Sequence, residues 1–258
     1  MFPSPDFSAA ALPAAGAPLT LQPLFPVALG QVQLRPDPLD LALQLQALLE
    51  LRGGRSSNPD PDCAWTGDLN GVWQLHRHPT FAPLVAEIVA QARQYLHQLG
   101  FDPERVALHL QRCWPVLSEP GQVVGRHHHP NAHLSAVYYF NGDGSGRSGC
   151  LRFWPQRQVN ELVPGMAVGH GGPLGASPWT QPWVDVAPRA GLLLLFPSAL
   201  DHAVLPNEDL EDLRCSLSLD FVLTAPRGTP AGAAEYLAPH PAEWHEMGPV
   251  NAPSAAEP

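Results

Sequence analysis

"GRHHHPNAHLSAVYYF", Gly125 to Phe140, sets three consecutive histidines and a fourth, His133, directly before a β-branched and aromatic run. The run reads as a strand. In a strand, residues i and i+2 point the same way, roughly 6.6 Å apart. Imidazoles so spaced can lean onto one metal ion, each nitrogen about 2.1 Å from it. His127 and His129 have this spacing, and His128 faces the opposite side. A metal held there needs a third ligand from a distant strand; without one, the same residues form a solvated, histidine-rich edge.

Downstream, the pattern stays β. "GCLRFWP", "WVDVAP", "GLLLLFP", "DHAVLP" and "RCSLSLDFVL" are short strand-like runs, with the Gly/Pro-rich stretch "GMAVGHGGPLGASPWTQPW" between the first two. Upstream, "VALHLQRCW" alternates Val106, Leu108 and Leu110 against Ala107, His109 and Gln111. Before that the period is helical. "DPLDLALQLQALLELRGG" offers Asp37 as N-cap, Pro38 at the first helical position and Gly53 as a stop. "TFAPLVAEIVAQARQYLHQLG" places Phe81, Leu84, Val85, Ile88, Val89, Ala92, Tyr95, Leu96 and Leu99 on one helical face, ending at Gly100. Such faces need a sheet to pack on. The expectation is a mainly β (α+β) domain, a sandwich or barrel buttressed by N-terminal helices. Trp65, Trp73, Trp114 and Trp154 are expected in its core.

The run "FPSALDHAVLPN" puts His202 on a short strand. In "RCSLSLDF", Arg214, Ser216, Ser218 and Asp220 then alternate with Cys215, Leu217, Leu219 and Phe221. Turned to water, the polar face is ordinary. Turned inward, Arg214 becomes a buried charge in need of an anion, ideally a carboxylate held by both guanidinium nitrogens. Ser216 could add a hydroxyl to the same anion.

The order H-x-H, single His, R-x-S resembles that of the Fe(II)/2-oxoglutarate-dependent oxygenases. More narrowly, "HHHPNAHLSAVYYF" and "LFPSALDHAVLPN…RCSLSLDF" are similar to a bacterial and phage subfamily with H-x-H-P-x-S-x-x-S-G-V-Y-Y, F-P-S-x-L-x-H-x-V-x-P-N and R-x-S. The likeness runs from about Leu21 to Val222. It implies a double-stranded β-helix (jelly-roll, cupin-like) domain over 21–223, between a lead-in at 1–20 and a Pro/Ala-rich tail at 224–258. It implies His127, His129 and His202 as Fe(II) ligands. Arg214, Ser216 and Tyr139 would take the far carboxylate of 2-oxoglutarate; Tyr139 reads equally as core packing. The activity implied is a dioxygenase that consumes molecular oxygen and hydroxylates a small-molecule or peptidyl substrate, releasing succinate and CO2. Most of the superfamily has H-x-D, with a carboxylate completing the ligand set. Here His129 holds the acid's place; a two-histidine site, or His128 as the ligand, fits the motif too. Ala136 and Ala199 also depart from the subfamily pattern, near where substrate shape would be read. The rival reading is a cupin-like metal-binding module without 2-oxoglutarate turnover, which gives Arg214 no anion to serve.

Smaller signals point the same way or nowhere. His133 could orient a ligand by hydrogen bond; His170 lies in the Gly-rich loop, and His76 and His78 read as surface or loop. With 258 residues the chain can bury roughly 70–75% of its unfolded surface. A formal charge of −10 with no basic run argues against nucleic acid as a partner. The apolar run Leu192 to Phe196 is far short of the roughly 18 residues of a membrane span. Four scattered cysteines without a C-x-x-C pair suit a reducing cytoplasm. Oligomeric state has no signature in the sequence.

Overall fold

The computed structural model describes residues 19, 21–53, 60–168, 173–209, 212–230 and 236–247. Most of the lead-in, part of the tail and His170 lie outside the described residues. The elements in chain order are β1 (Gly30–Gln33), α1 (Pro38–Arg52), β2 (Trp65–Thr66), α2 (Ala82–Gln98), β3 (Ala107–Ser118), β4 (Val124–His127), β5 (Leu134–Tyr139), β6 (Leu151–Phe153), β7 (Val184–Val186), β8 (Leu192–Pro197), β9 (His202–Val204) and β10 (Arg214–Thr224). Short 3-10 turns connect several of them.

The helices form where the sequence places them. The Asp37 side chain accepts hydrogen bonds from the Leu39 and Asp40 amides, and Pro38 opens α1. In α2, Leu84, Val85, Ile88, Ala92, Tyr95 and Leu96 are buried on one face. Gly100, at φ +90°, follows the helix and donates its amide to the His97 carbonyl. Leu99 departs from expectation, with 45% of its surface exposed. It lies beyond the last turn, where the chain leaves the sheet.

The strands form two antiparallel sheets. One runs β1-β8-β5-β10-β3-β2 and the other β4-β9-β6-β7. Strand parity then sorts the side chains of the six-stranded sheet. Leu134, Ala136, Tyr138, Leu193, Leu195, Cys215, Leu217, Leu219 and Phe221 face the helices and join Ile88, Ala92 and Leu96 in one core. Each leucine fully buried there contributes roughly 1.5–3 kcal/mol. The opposite face meets the small sheet: Tyr139, Leu194 and Phe196 pack with Leu151 and Phe153. The Phe153 and Phe196 rings meet edge-on at 4.9 Å. This is the expected mainly β, jelly-roll class of fold, two sheets with helices on one outer face.

Some expectations need correcting. β1 and β2 were not expected; β1 is a four-residue edge that pairs with β8, from Gly30 opposite Leu195 to Gln33 opposite Leu192. The strand read in "GCLRFWP" shrinks to Leu151–Phe153. Of the tryptophans, Trp65 and Trp114 are buried, but Trp73 is 42% exposed and Trp154 lies at the surface of the small sheet beneath the Arg126 guanidinium. The tail is anchored at least in part, since the Ala225 amide donates to the Ala238 carbonyl and Leu237 packs on the core. Among the described residues no helix is long and apolar enough to cross a membrane.

Candidate active site

β4 and β9 pair so that His127 stands opposite His202. Their rings lie 4.4 Å apart. β4 ends at His127, so His129 comes from the turn that follows and not from a strand. Its amide donates to the Ser198 carbonyl at 2.9 Å, which fixes the turn against the break after β8. The His129 ring sits 5.1 Å from both of the other imidazoles. The three potential ligand atoms all lie within 4.8 Å of one another. Among the described residues this is the single cluster of three or more such groups. His128 points away, its Nδ1 3.2 Å from Asp201 and half its side chain exposed.

Each of the three rings is committed at Nδ1. His127 Nδ1 lies 2.7 Å from the Gly125 carbonyl and His202 Nδ1 2.8 Å from the Leu200 carbonyl. His129 Nδ1 lies 2.6 Å from Asp220 Oδ1. Carbonyl and carboxylate oxygens only accept, so each Nδ1 carries a proton and Nε2 is the nitrogen left to face a ligand. Burial, and then His127 beside it, lowers the His202 imidazole to about 3; burial also lowers His127. Three imidazoles with their outer nitrogens fixed by hydrogen bonds are a fitting donor set for a first-row transition metal, iron included.

Asp220 was not among the expected site residues. It is fully buried and accepts from His129, from Ser135 Oγ at 2.8 Å and from Arg112 Nη2 at 2.6 Å. Burial pushes its carboxyl up, but these donors outweigh burial and hold it below the usual carboxylate range. The signal was parity: Asp220 shares a strand face with Arg214 and Ser216. What parity leaves open is which inward polar residue meets the His129 ring. His133, by contrast, does not touch the cluster; its Nδ1 accepts from the Leu223 amide.

Arg214 lies six residues along β10 on the same face and is 1% exposed. Its Nη1 donates to the Gly149 carbonyl at 3.2 Å, its Nη2 donates to Ser118 Oγ, and its Nε has no partner. No carboxylate pairs with it among the described residues, and burial lowers its pKa. Ser216 stands beside Tyr139 across β10 and β5, and both are buried. Burial raises the Tyr139 hydroxyl, with Arg214 pulling it the other way. All six expected site residues line one cavity of about 770 Å³ between the two sheets. Asp68, Leu69, Arg112, Trp114 and Asn131 line it too.

A family model described as "Putative 2OG-Fe(II) oxygenase" matches residues 112–220. No curated protein matches the chain. Among solved structures, the chain is similar to the non-heme alpha ketoglutarate dependent epimerase SnoN from nogalamycin biosynthesis, with 17% identity over 88% of this chain and 91% of that one, at a TM-score of 0.54. It is similar to a Pseudomonas putida prolyl-4-hydroxylase, with 21% identity over 76% and 92% and a TM-score of 0.51. HygX from Streptomyces hygroscopicus, solved with nickel, 2-oxoglutarate and hygromycin B bound, shares 14% identity over 76% and 83% at a TM-score of 0.51. At such identities the likeness is one of fold.

Proposed function

We propose that the chain, whose residues 112–220 match the family model, is a dioxygenase that hydroxylates a small-molecule or peptidyl substrate while converting 2-oxoglutarate to succinate and CO2. His127, His129 and His202 would hold Fe(II) through Nε2. Arg214 would grip the distal carboxylate of 2-oxoglutarate, Ser216 and Tyr139 adding hydroxyls beside it. Iron held there would supply the activation of oxygen, with one oxygen atom going to succinate and the other to the substrate.

The protein's own residues supply orientation and exclusion of water. The carbonyls of Gly125 and Leu200 and the carboxylate of Asp220 hold the three rings in one tautomer. Phe153 and Phe196 flank His202 and keep water from that side. The substrate would enter on the side lined by Asp68, Leu69 and Asn131, away from Arg214. Residues 21–223 would form the catalytic domain, with 1–20 and 224–258 as extensions. Four free cysteines suit a cytoplasmic location.

The single observation carrying this reading is Arg214, a buried guanidinium that no carboxylate among the described residues pairs with, in the same cavity as three convergent imidazoles. A buried unpaired charge costs several kcal/mol, and a diacid co-substrate removes that cost. A cupin-like metal module would leave the cost standing. The test is succinate release by the full chain supplied with Fe(II), 2-oxoglutarate and air. Slow succinate formation in the wild type and none in His202→Ala are expected. Metal binding without any 2-oxoglutarate consumption or binding would favour the metal module.

A further inference from the structure

The three imidazoles are not backed alike. Neutral carbonyls stand behind His127 and His202. A buried carboxylate stands behind His129 alone, and His129 occupies the position where an H-x-D pattern would put the acid. Asp220 reaches that ring from β10, across the sheet, and is held for the purpose by Ser135 and Arg112. Ser135 in turn bonds Ser198 at 2.9 Å, and the Ser198 carbonyl takes the His129 amide. Ring, turn and carboxylate are therefore fixed by one connected network.

We propose that Asp220 is the carboxylate of this metal centre, displaced one residue outward and acting through His129. The proposal rests on the ligand reading given above and goes beyond it by assigning a role to a residue that touches no metal. Its physical content is charge and orientation together. A carboxylate that accepts from Nδ1–H makes the imidazole a stronger donor at Nε2 and brings a negative charge near a divalent ion. Three neutral imidazoles with an ordinary carbonyl behind each would lack that charge.

Asp220 is thus a positioning residue, and its plain alternative is a buried ion pair with Arg112 that serves only the fold. Calorimetric and absorbance titration of the full metal-free chain with Co(II) alone separates the two. Asp220→Asn keeps an oxygen that can accept from Nδ1–H and removes the charge. It is expected to fold and to bind Co(II) about ten- to a hundredfold more weakly, with a changed cobalt absorption spectrum. Ser135→Ala removes one donor to Asp220 without leaving a charge unpaired, and is expected to weaken binding in the same direction by a few-fold. It carries the decision if Asp220→Asn does not fold. Lower melting temperatures with unchanged Co(II) affinity and spectrum in the folded variants would overturn the role. Wild-type affinity in His202→Ala would instead overturn the ligand reading itself, so the two failures are distinguishable.

Discussion

At the scale of single residues, the site depends on groups whose chemistry is set by what they are denied. Arg214 is buried, no carboxylate among the described residues pairs with it, and its partners are oxygens without charge, the Gly149 carbonyl among them. Gly149 is at φ +87°, and a Cβ there would run into the Leu205 carbonyl and come within 3.0 Å of Arg214 Nη1. A side chain is disfavoured at such an angle by about 1–2 kcal/mol. Gly149→Ala is therefore expected to shift the guanidinium and weaken 2-oxoglutarate binding on the order of tenfold, with Co(II) affinity unchanged. The rise in melting temperature with 2-oxoglutarate in the presence of Co(II) measures it. Of the residue-scale features, the i, i+2 histidines and the inward R-x-S were legible because they need only strand parity. Asp220's contact with His129 was not. It depends on β4 ending at His127 and on a turn whose path is set by Ser198, two facts that no local pattern encodes.

At the scale of elements, β10 does the most. One face carries Arg214, Ser216 and Ser218 to the cavity and buries Asp220 behind the His129 ring, and the other buries Leu217, Leu219 and Phe221 against the helices. A one-residue slip would exchange the two faces and destroy site and core together. Pairing on both sides, with β3 and β5, holds the register from Ser216 opposite Val116 and Tyr139 to Asp220 opposite Arg112 and Ser135. Leu217→Ala leaves the cavity face untouched. It is expected to cost about 2–5 kcal/mol of stability, seen as a lower melting temperature, while metal affinity stays that of the wild type. α2 and β10 were readable because their periodicities are long enough to be unambiguous, and α1 because Asp37, Pro38 and Gly53 mark its ends. β1 and β2 were not: four and two residues carry almost no period, and each exists because a neighbouring strand offers an edge. Trp73 was misplaced for a related reason, since aromatic character alone does not tell which side of a loop faces the core.

At the scale of the whole molecule, two distant stretches of chain meet because two sheets close on one cavity. The small sheet and the turn after it bring His202, His127 and His129 to one side; the large sheet brings Arg214 to the same cavity from β10. The account's central claim is that these two groups serve one bound co-substrate, chelated to iron at one end and held by a guanidinium at the other. Anaerobic titration of the Fe(II)-loaded full chain with 2-oxoglutarate, followed by visible absorption, tests this most directly. The account predicts a saturable charge-transfer band, absent in His202→Ala, and in Arg214→Gln requiring at least about thirtyfold more 2-oxoglutarate. A band that saturates at the same concentration in Arg214→Gln as in the wild type would contradict it.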